Sequence, residues 1–134
     1  AQCRLRVERR TIPGESAVQA VAEVQDILDA LADADSDFGA SCEHAFSRQP
    51  FEAAPDAPMA EAVRAAGAEV LGQAPPDAGQ TFWTDAALLA AAGMETVVRG
   101  PVGDGLHTTK EWVDLESVVQ LAEILARTAQ QYCA

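Results

Sequence analysis

Three prolines within nine residues, Pro50, Pro55 and Pro58, most restrict how this chain can fold. Proline lacks a backbone N–H and restricts the residue before it, so this segment continues neither a helix nor a central strand. We therefore expect an extended connector that divides the chain into residues 1–52 and 53–134. The 134 residues are the usual size of one domain and too few for two ordinary ones.

The part before the connector has the pattern strand, helix, strand. Residues 3–10 alternate apolar and charged side chains from Cys3 to Val7, which predicts a half-buried strand. Apolar residues three and four apart over 15–34 predict a helix, and its opposite face is acidic and solvated. Residues 38–47 predict a second strand. Together they predict a β-α-β unit in which the helix packs on one face of the two strands.

The part after the connector alternates helices with short apolar strands, which predicts an α/β fold. Helices are expected over 59–71, over 85–92, and from an N-cap at Asp114 to Tyr132. Strands are expected over 80–83 and 96–98, the second of them buried, and a glycine-rich loop over 100–105. The buried stripe of the last helix is expected to consist of Leu115, Val118, Val119, Ala122, Leu125, Ala126 and Ala129.

Charge and cysteine content exclude several classes of protein. The 9 basic and 21 acidic residues leave a net charge of −12, which disfavours nucleic-acid and anionic membrane partners. No apolar run approaches the roughly 20 residues of a membrane span. Cys3, Cys42 and Cys133 are odd in number and far apart, so we expect small thiols in the core of a cytoplasmic protein, without a disulfide framework.

The two histidines occupy different sequence environments. His44 lies inside a predicted strand, where an ordinary half-exposed histidine is the favoured interpretation. His107 follows a predicted buried strand and a loop with three glycines, the kind of place where ligands bind in open α/β sheets. A neutral imidazole there can be a metal ligand or an acid–base group, or its polar atoms can be satisfied by local hydrogen bonds.

Several short motifs follow one another in a specific order. The first part contains Arg10-Thr11-x-Pro13-Gly14-Glu15. The second contains Phe82-Trp83-Thr84-Asp85, then Gly93-Met94-Glu95-Thr96, then His107-x-x-x-Glu111-x-Val113. This ordered set resembles the C-terminal portion of the M20 family of metallo-amidohydrolases, which includes acetylornithine deacetylase, succinyl-diaminopimelate desuccinylase and glutamate carboxypeptidases. Phe82-Trp83 looks closer to the acetylornithine-deacetylase-like members.

The resemblance implies an architecture for each part. Residues 1–52 would be the β-α-β half of a ferredoxin-like lid, the domain through which the family dimerises. Residues 53–134 would be the C-terminal α/β part of a zinc-hydrolase catalytic domain. The implied partners are therefore a small-molecule substrate and a second copy of the protein in a homodimer.

The resemblance also assigns roles to residues at three places in the chain. His107 matches a ligand of one of two active-site zinc ions, a position that cobalt can also occupy. Arg10 matches the lid arginine that pairs with a substrate carboxylate, and Thr84 with Asp85 matches a loop near the substrate pocket. Two alternatives without a role in binding stay open: Arg10 would form a surface ion pair, and Asp85 would be a first-turn carboxylate favoured by the helix dipole.

The family's other metal ligands and its general base have no counterpart here. The chain is therefore expected to be an inactive fragment that contains no catalytic residue and binds no zinc tightly, with apolar surface left uncovered. The complete protein would use metal-activated water to hydrolyse the amide of an N-acyl amino acid or a peptide. The alternative hypothesis is a non-catalytic α/β assembly or binding module in which His107 has no role.

Overall fold

The computed structural model describes residues 2–134, which form two compact units, one up to Phe51 and one from Glu52 onward. Within this range no helix combines the length and the apolar character needed to cross a membrane. The elements are, in chain order, α1 (Ala17–Ala34), α2 (Pro58–Leu71), α3 (Ala86–Ala91), β1 (Gly103–Asp104), β2 (Trp112–Val113) and α4 (Leu115–Tyr132). This mixture of helices with one small sheet is compatible with the α/β class.

Helix α1 dominates the first unit and confirms the helix expected over 15–34. It begins with a capping box, in which the Ser16 hydroxyl accepts the Gln19 N–H and the Gln19 side chain accepts the Ser16 N–H. None of its residues is buried, and Val18 is 79% exposed. The expected packing of α1 on one face of a strand pair is therefore wrong.

Neither strand predicted in the first unit forms. Residues 3–10 and 38–47 carry no strand assignment, and the apolar side chains of Leu5, Val7 and Phe46 are exposed. Alternation shows only that a segment could present two different faces, whereas a strand also needs a neighbour that accepts and donates its backbone hydrogen bonds. Within the described residues these two segments find no such neighbour.

The core of the second unit lies between α2 and α4. Helix α2 confirms the helix expected over 59–71 and ends at Gly72 in the left-handed conformation. Small buried residues on α2, Ala60, Val63, Ala66 and Gly67, face a part of α4 centred on Ile124, which is 1% exposed. A Cβ on Gly67 would lie 3.0 Å from the Pro75 ring, so the chain after α2 also packs closely here.

Helix α4 begins after Asp114 as predicted, but it buries a different face from the one expected. The residues that are buried are Ser117, Ile124 and Thr128, whereas Leu115 and Val119 are 76% and 69% exposed. Thr128 is accommodated because its hydroxyl donates to the Ile124 carbonyl oxygen at 2.8 Å. The stripe predicted from apolar periodicity therefore lies mainly on the uncovered side of the helix.

The structure corrects three further expectations, the two strands of the second unit and the buried cysteines, and confirms one helix. Residues 80–83 and 96–98 form no strand, and Val98 is 44% exposed although it was expected to be buried. Helix α3 confirms the short helix expected over 85–92 and buries Ala86 and Ala87. The thiols of Cys3 and Cys133 are exposed, while that of Cys42 is partly covered, so the cysteines do not lie in a core.

Candidate functional site

The predicted glycine-rich loop forms one strand of a small antiparallel hairpin. Strand β1 pairs with β2 in the register Gly103 opposite Val113 and Asp104 opposite Trp112. A Cβ on Gly103 would lie 2.5 Å from the Trp112 carbonyl oxygen, so only glycine allows the two strands to approach this closely. The hairpin presents His107 in the loop that joins its strands.

Local hydrogen bonds fold that loop. Gly105 has φ of 74° and its N–H donates to Asp104 Oδ1 at 2.7 Å. The backbone N–H and the hydroxyl of Thr108 both donate to the Gly105 carbonyl oxygen, at 2.9 and 2.7 Å. The Lys110 N–H closes the turn by donating to Thr108 Oγ1 at 3.2 Å. The loop conformation is thus determined by its own polar groups.

His107 has an unusual backbone conformation. Its φ of 63° lies in the left-handed region, and among residues 2–134 it is the one non-glycine residue there. The residue is exposed, and no described side chain or backbone group is hydrogen-bonded to its imidazole. The interpretation of His107 as a histidine satisfied by local hydrogen bonds therefore finds no support in the structure.

The base of the hairpin is attached to the first turn of α4. Asp114 caps this helix by accepting the Ser117 N–H at 2.7 Å, and its own N–H donates to the Val102 carbonyl oxygen at 2.9 Å. The buried Ser117 hydroxyl accepts the Val102 N–H and donates to the Asp114 carbonyl oxygen. Sequence analysis identified the Asp114 cap but missed Ser117, because a polar residue was not expected on the buried face.

Thr84 and Asp85 lie at the N-terminus of α3. The Thr84 hydroxyl accepts the Ala86 N–H at 3.3 Å, so this side chain helps to cap the helix. Asp85 occupies the N-cap position in a helical conformation, makes no side-chain cap and is exposed. A carboxylate there agrees with the alternative of a first-turn residue favoured by the helix dipole.

Arg10 belongs to the first unit and is largely exposed. Its Nε lies 2.7 Å from Glu8 Oε1, and the two side chains are 65% and 76% exposed. This is a surface ion pair, as the alternative without a binding role predicts. Such a pair contributes little to stability, so the guanidinium can exchange Glu8 for another carboxylate at small cost.

The neighbouring Arg9 makes the more extensive contacts. Its guanidinium bridges Glu15, at 2.9 Å, and Glu23 of α1. These hydrogen bonds raise the pKa of Arg9, while the Ile12 N–H and then Arg9 lower the pKa of Glu15. Sequence reasoning singled out Arg10 and missed Arg9, because adjacent arginines differ only in the direction that the folded backbone gives them.

The described residues do not form a metal site by themselves. Residues 2–134 contain no group of three or more His, Cys, Asp or Glu side chains close enough to hold a metal ion. His107 therefore belongs to no such group, whereas a catalytic zinc site requires about three protein ligands.

Comparison with known proteins identifies one family. The family model described as peptidase family M20/M25/M40 matches residues 6–131, which is nearly the whole chain and both of its units. No curated protein and no solved structure gives a significant match.

Proposed function

This chain belongs to the M20/M25/M40 peptidase family, whose members are generally metal-dependent, and we propose that it is the C-terminal portion of a metal-dependent amidohydrolase. The complete protein hydrolyses the amide bond of an N-acyl amino acid or a peptide. Phe82-Trp83 supports an acetylornithine-deacetylase-like subtype, and three unpaired cysteines support a cytoplasmic location.

The conformation of His107 is the observation that carries this proposal. A left-handed backbone is uncommon for a residue other than glycine, and such conformations are concentrated at functional sites. Here this conformation belongs to an exposed histidine in the loop of a hairpin whose base is held by Ser117 and Asp114. A rigidly presented neutral imidazole is what a divalent metal requires of a histidine ligand.

We assign His107 as one ligand of a zinc centre, with cobalt as the alternative metal. The other ligands come from parts of the complete protein outside the described residues, because residues 2–134 contain no group of three or more His, Cys, Asp or Glu side chains that could hold the ion. The chain alone is therefore proposed to bind no zinc tightly and to be inactive.

Arg10 and Thr84 are proposed to contact the substrate. The guanidinium of Arg10 is held only by an exposed ion pair with Glu8, so a substrate carboxylate can replace that partner in a bidentate contact. Thr84 already accepts the Ala86 N–H, so its hydroxyl hydrogen is the part available to a substrate oxygen.

The decisive experiment replaces His107 by asparagine in the complete protein. Asparagine tolerates the left-handed backbone, so this variant removes the imidazole and leaves the loop conformation intact. We expect loss of one bound metal and of nearly all hydrolysis of N-acetyl amino acids, measured by elemental analysis and kcat/KM. The matched control is His44→Asn, which changes the other exposed histidine and should leave both unchanged. Full metal content and activity in His107→Asn would overturn the assignment.

A second candidate, a non-catalytic assembly module, is favoured by the uncovered apolar side chains of α4. Leu115, Val119 and Leu125 are at least half exposed, and such a surface is typical of a protein contact. In the amidohydrolase proposal the first unit belongs to a lid through which the complete protein forms a homodimer. Sedimentation of the complete protein together with its activity separates the candidates, because a module would assemble without hydrolysing any substrate.

A further inference from the structure

A small cleft beside the core of the second unit contains an arginine without a partner. The cleft has a volume of about 50 Å³ and lies between the end of α2, the first turns of α4 and the segment that leads into β1. Its wall is mostly aliphatic, with Leu71, Leu121 and Ile124 contributing from the two helices, and Arg99 is the one basic residue in it.

Four of the eight arginines, Arg4, Arg6, Arg48 and Arg99, make no ion pair with a carboxylate among residues 2–134, and Arg99 is the one whose buried side-chain nitrogen lacks a hydrogen-bond partner. Arg9, Arg10, Arg64 and Arg127 each make an ion pair with a carboxylate, in a protein that has 21 acidic residues. The unpartnered nitrogen of Arg99 is its Nε. A buried donor in this state is expected to have a partner that residues 2–134 do not supply.

The other polar side chains around the cleft are already engaged. The Ser117 hydroxyl bonds Val102 and Asp114, and the Gln120 amide donates to Glu116 at 3.5 Å. Arg99 is thus the polar side chain that lacks a partner, and aliphatic side chains form most of the remaining wall. A ligand that matches this arrangement has one carboxylate and a short aliphatic tail.

We propose that this cleft binds a short-chain aliphatic monocarboxylate, which pairs with the Arg99 guanidinium and places its tail against Leu71, Leu121 and Ile124. The Nε is shielded from solvent as the side chain stands, so binding includes a rotation of Arg99 that turns its Nε–Nη edge toward the ligand. The volume limits the ligand to a few non-hydrogen atoms, the size of acetate or propionate. The proposal is independent of the metal centre, because none of the residues that line the cleft is assigned to that centre.

Titration with propionate, followed through the Nε–Hε NMR signal of Arg99, tests the proposal. We expect a saturable shift with a dissociation constant in the millimolar range, since a ligand of about five non-hydrogen atoms cannot bind much more tightly. Propionamide has the same shape without the charge and should produce no saturable shift. Sodium chloride at matched ionic strength controls for general screening.

Two variants determine whether Arg99 is the binding group. Arg99→Lys keeps the charge but loses the planar fork, and Arg99→Gln loses both. For each variant, the affinity for propionate, measured as protection against thermal unfolding, should fall at least about tenfold. Because Arg99 has no partner to lose, neither variant should unfold the chain, which circular dichroism verifies. Exposed Arg4→Gln should bind propionate like the parent. Equal binding by Arg99→Gln, equal response to propionamide, or no shift beyond that of chloride would each overturn the proposal.

Discussion

The Ser117 hydroxyl accepts a hydrogen bond from the backbone N–H of Val102 at 2.9 Å, and this contact attaches the His107 hairpin to the first turn of α4. The same hydroxyl donates to the Asp114 carbonyl oxygen at 2.7 Å. One buried side chain therefore connects Val102, directly before β1, with Asp114, directly after β2. The position of the loop depends on a helix that lies outside the hairpin.

Replacing Ser117 by alanine should loosen this attachment. The Val102 N–H would lose its acceptor in a partly buried place, which costs about 1–3 kcal/mol of unfolding free energy. Urea denaturation measures this loss, and Ser117→Thr, which retains the hydroxyl, should recover part of it. The control is Ser47→Ala at an exposed position, expected to change stability by less than about 0.5 kcal/mol. Equal stability of the two alanine variants would show that the hydroxyl does not hold the hairpin.

Gly105→Ala should distort the His107 loop. The φ of Gly105 is 74°, and an added Cβ would lie 2.8 Å from the Lys110 carbonyl oxygen. We expect a loss of about 1–3 kcal/mol from the left-handed strain and the contact together. In the complete protein the same change should weaken metal retention, because the loop can no longer present His107 in one direction.

Gly79→Ala provides the matched control for that prediction. A Cβ at Gly79 would meet no atom within 4 Å, and its backbone does not require glycine. Its stability should stay within about 0.5 kcal/mol of the parent or increase slightly. Similar effects of the two substitutions would contradict the proposed role of the Gly105 conformation.

Tyr132 is the only tyrosine in the chain, so its ionisation can be followed without interference from another phenol. Its hydroxyl donates to Glu95 Oε2 at 3.2 Å, and this hydrogen bond to a carboxylate raises the pKa of Tyr132 above its ordinary value of 10.0. The contact therefore stabilises the fold fully below pH 10 and loses that effect as the pH rises through the raised pKa.

Glu95→Gln tests this contact. Without the adjacent negative charge, the pKa of Tyr132 should fall toward its ordinary value, as measured by the absorbance of tyrosinate during an alkaline titration. Glu123→Gln, which changes a carboxylate bound to Arg127, should leave the titration unchanged. If the titration curve of Glu95→Gln superimposes on that of the parent, the Glu95 carboxylate is not the cause of the raised pKa of Tyr132.

Alanine substitutions on the two faces of α4 should differ strongly in their effect on stability. Ile124 is 1% exposed against α2, so Ile124→Ala should cost about 2–5 kcal/mol. Val119 is 69% exposed, so Val119→Ala should change the stability of this chain by less than about 0.5 kcal/mol. Denaturant titration measures both. A large loss for Val119→Ala would mean that the stripe predicted from apolar periodicity is covered in solution.

The sequence alone determined where the helices lie and how they begin and end. Asp114 and Gly72 occupy the positions predicted by capping and stop signals, and all four helices lie within two residues of their expected bounds; the Ser16 cap was not predicted. These features are local, because each helical hydrogen bond joins residues four apart and each cap acts within one turn. The family resemblance was likewise carried by short ordered motifs, and the family match over residues 6–131 agrees with it.

Only the tertiary structure decided which surfaces are buried and which segments pair. The strands expected over 3–10 and 38–47 are absent because a strand needs a partner that the segment's own alternation does not supply. Ser117 and Thr128 replaced the apolar stripe as buried residues of α4, since the face that contacts α2 is chosen by that neighbour and not by hydropathy alone. The unpaired Arg99 depends in the same way on long-range contacts, whereas the left-handed His107 lies in a loop held by hydrogen bonds within residues 104–110; periodicity and spacing encode neither.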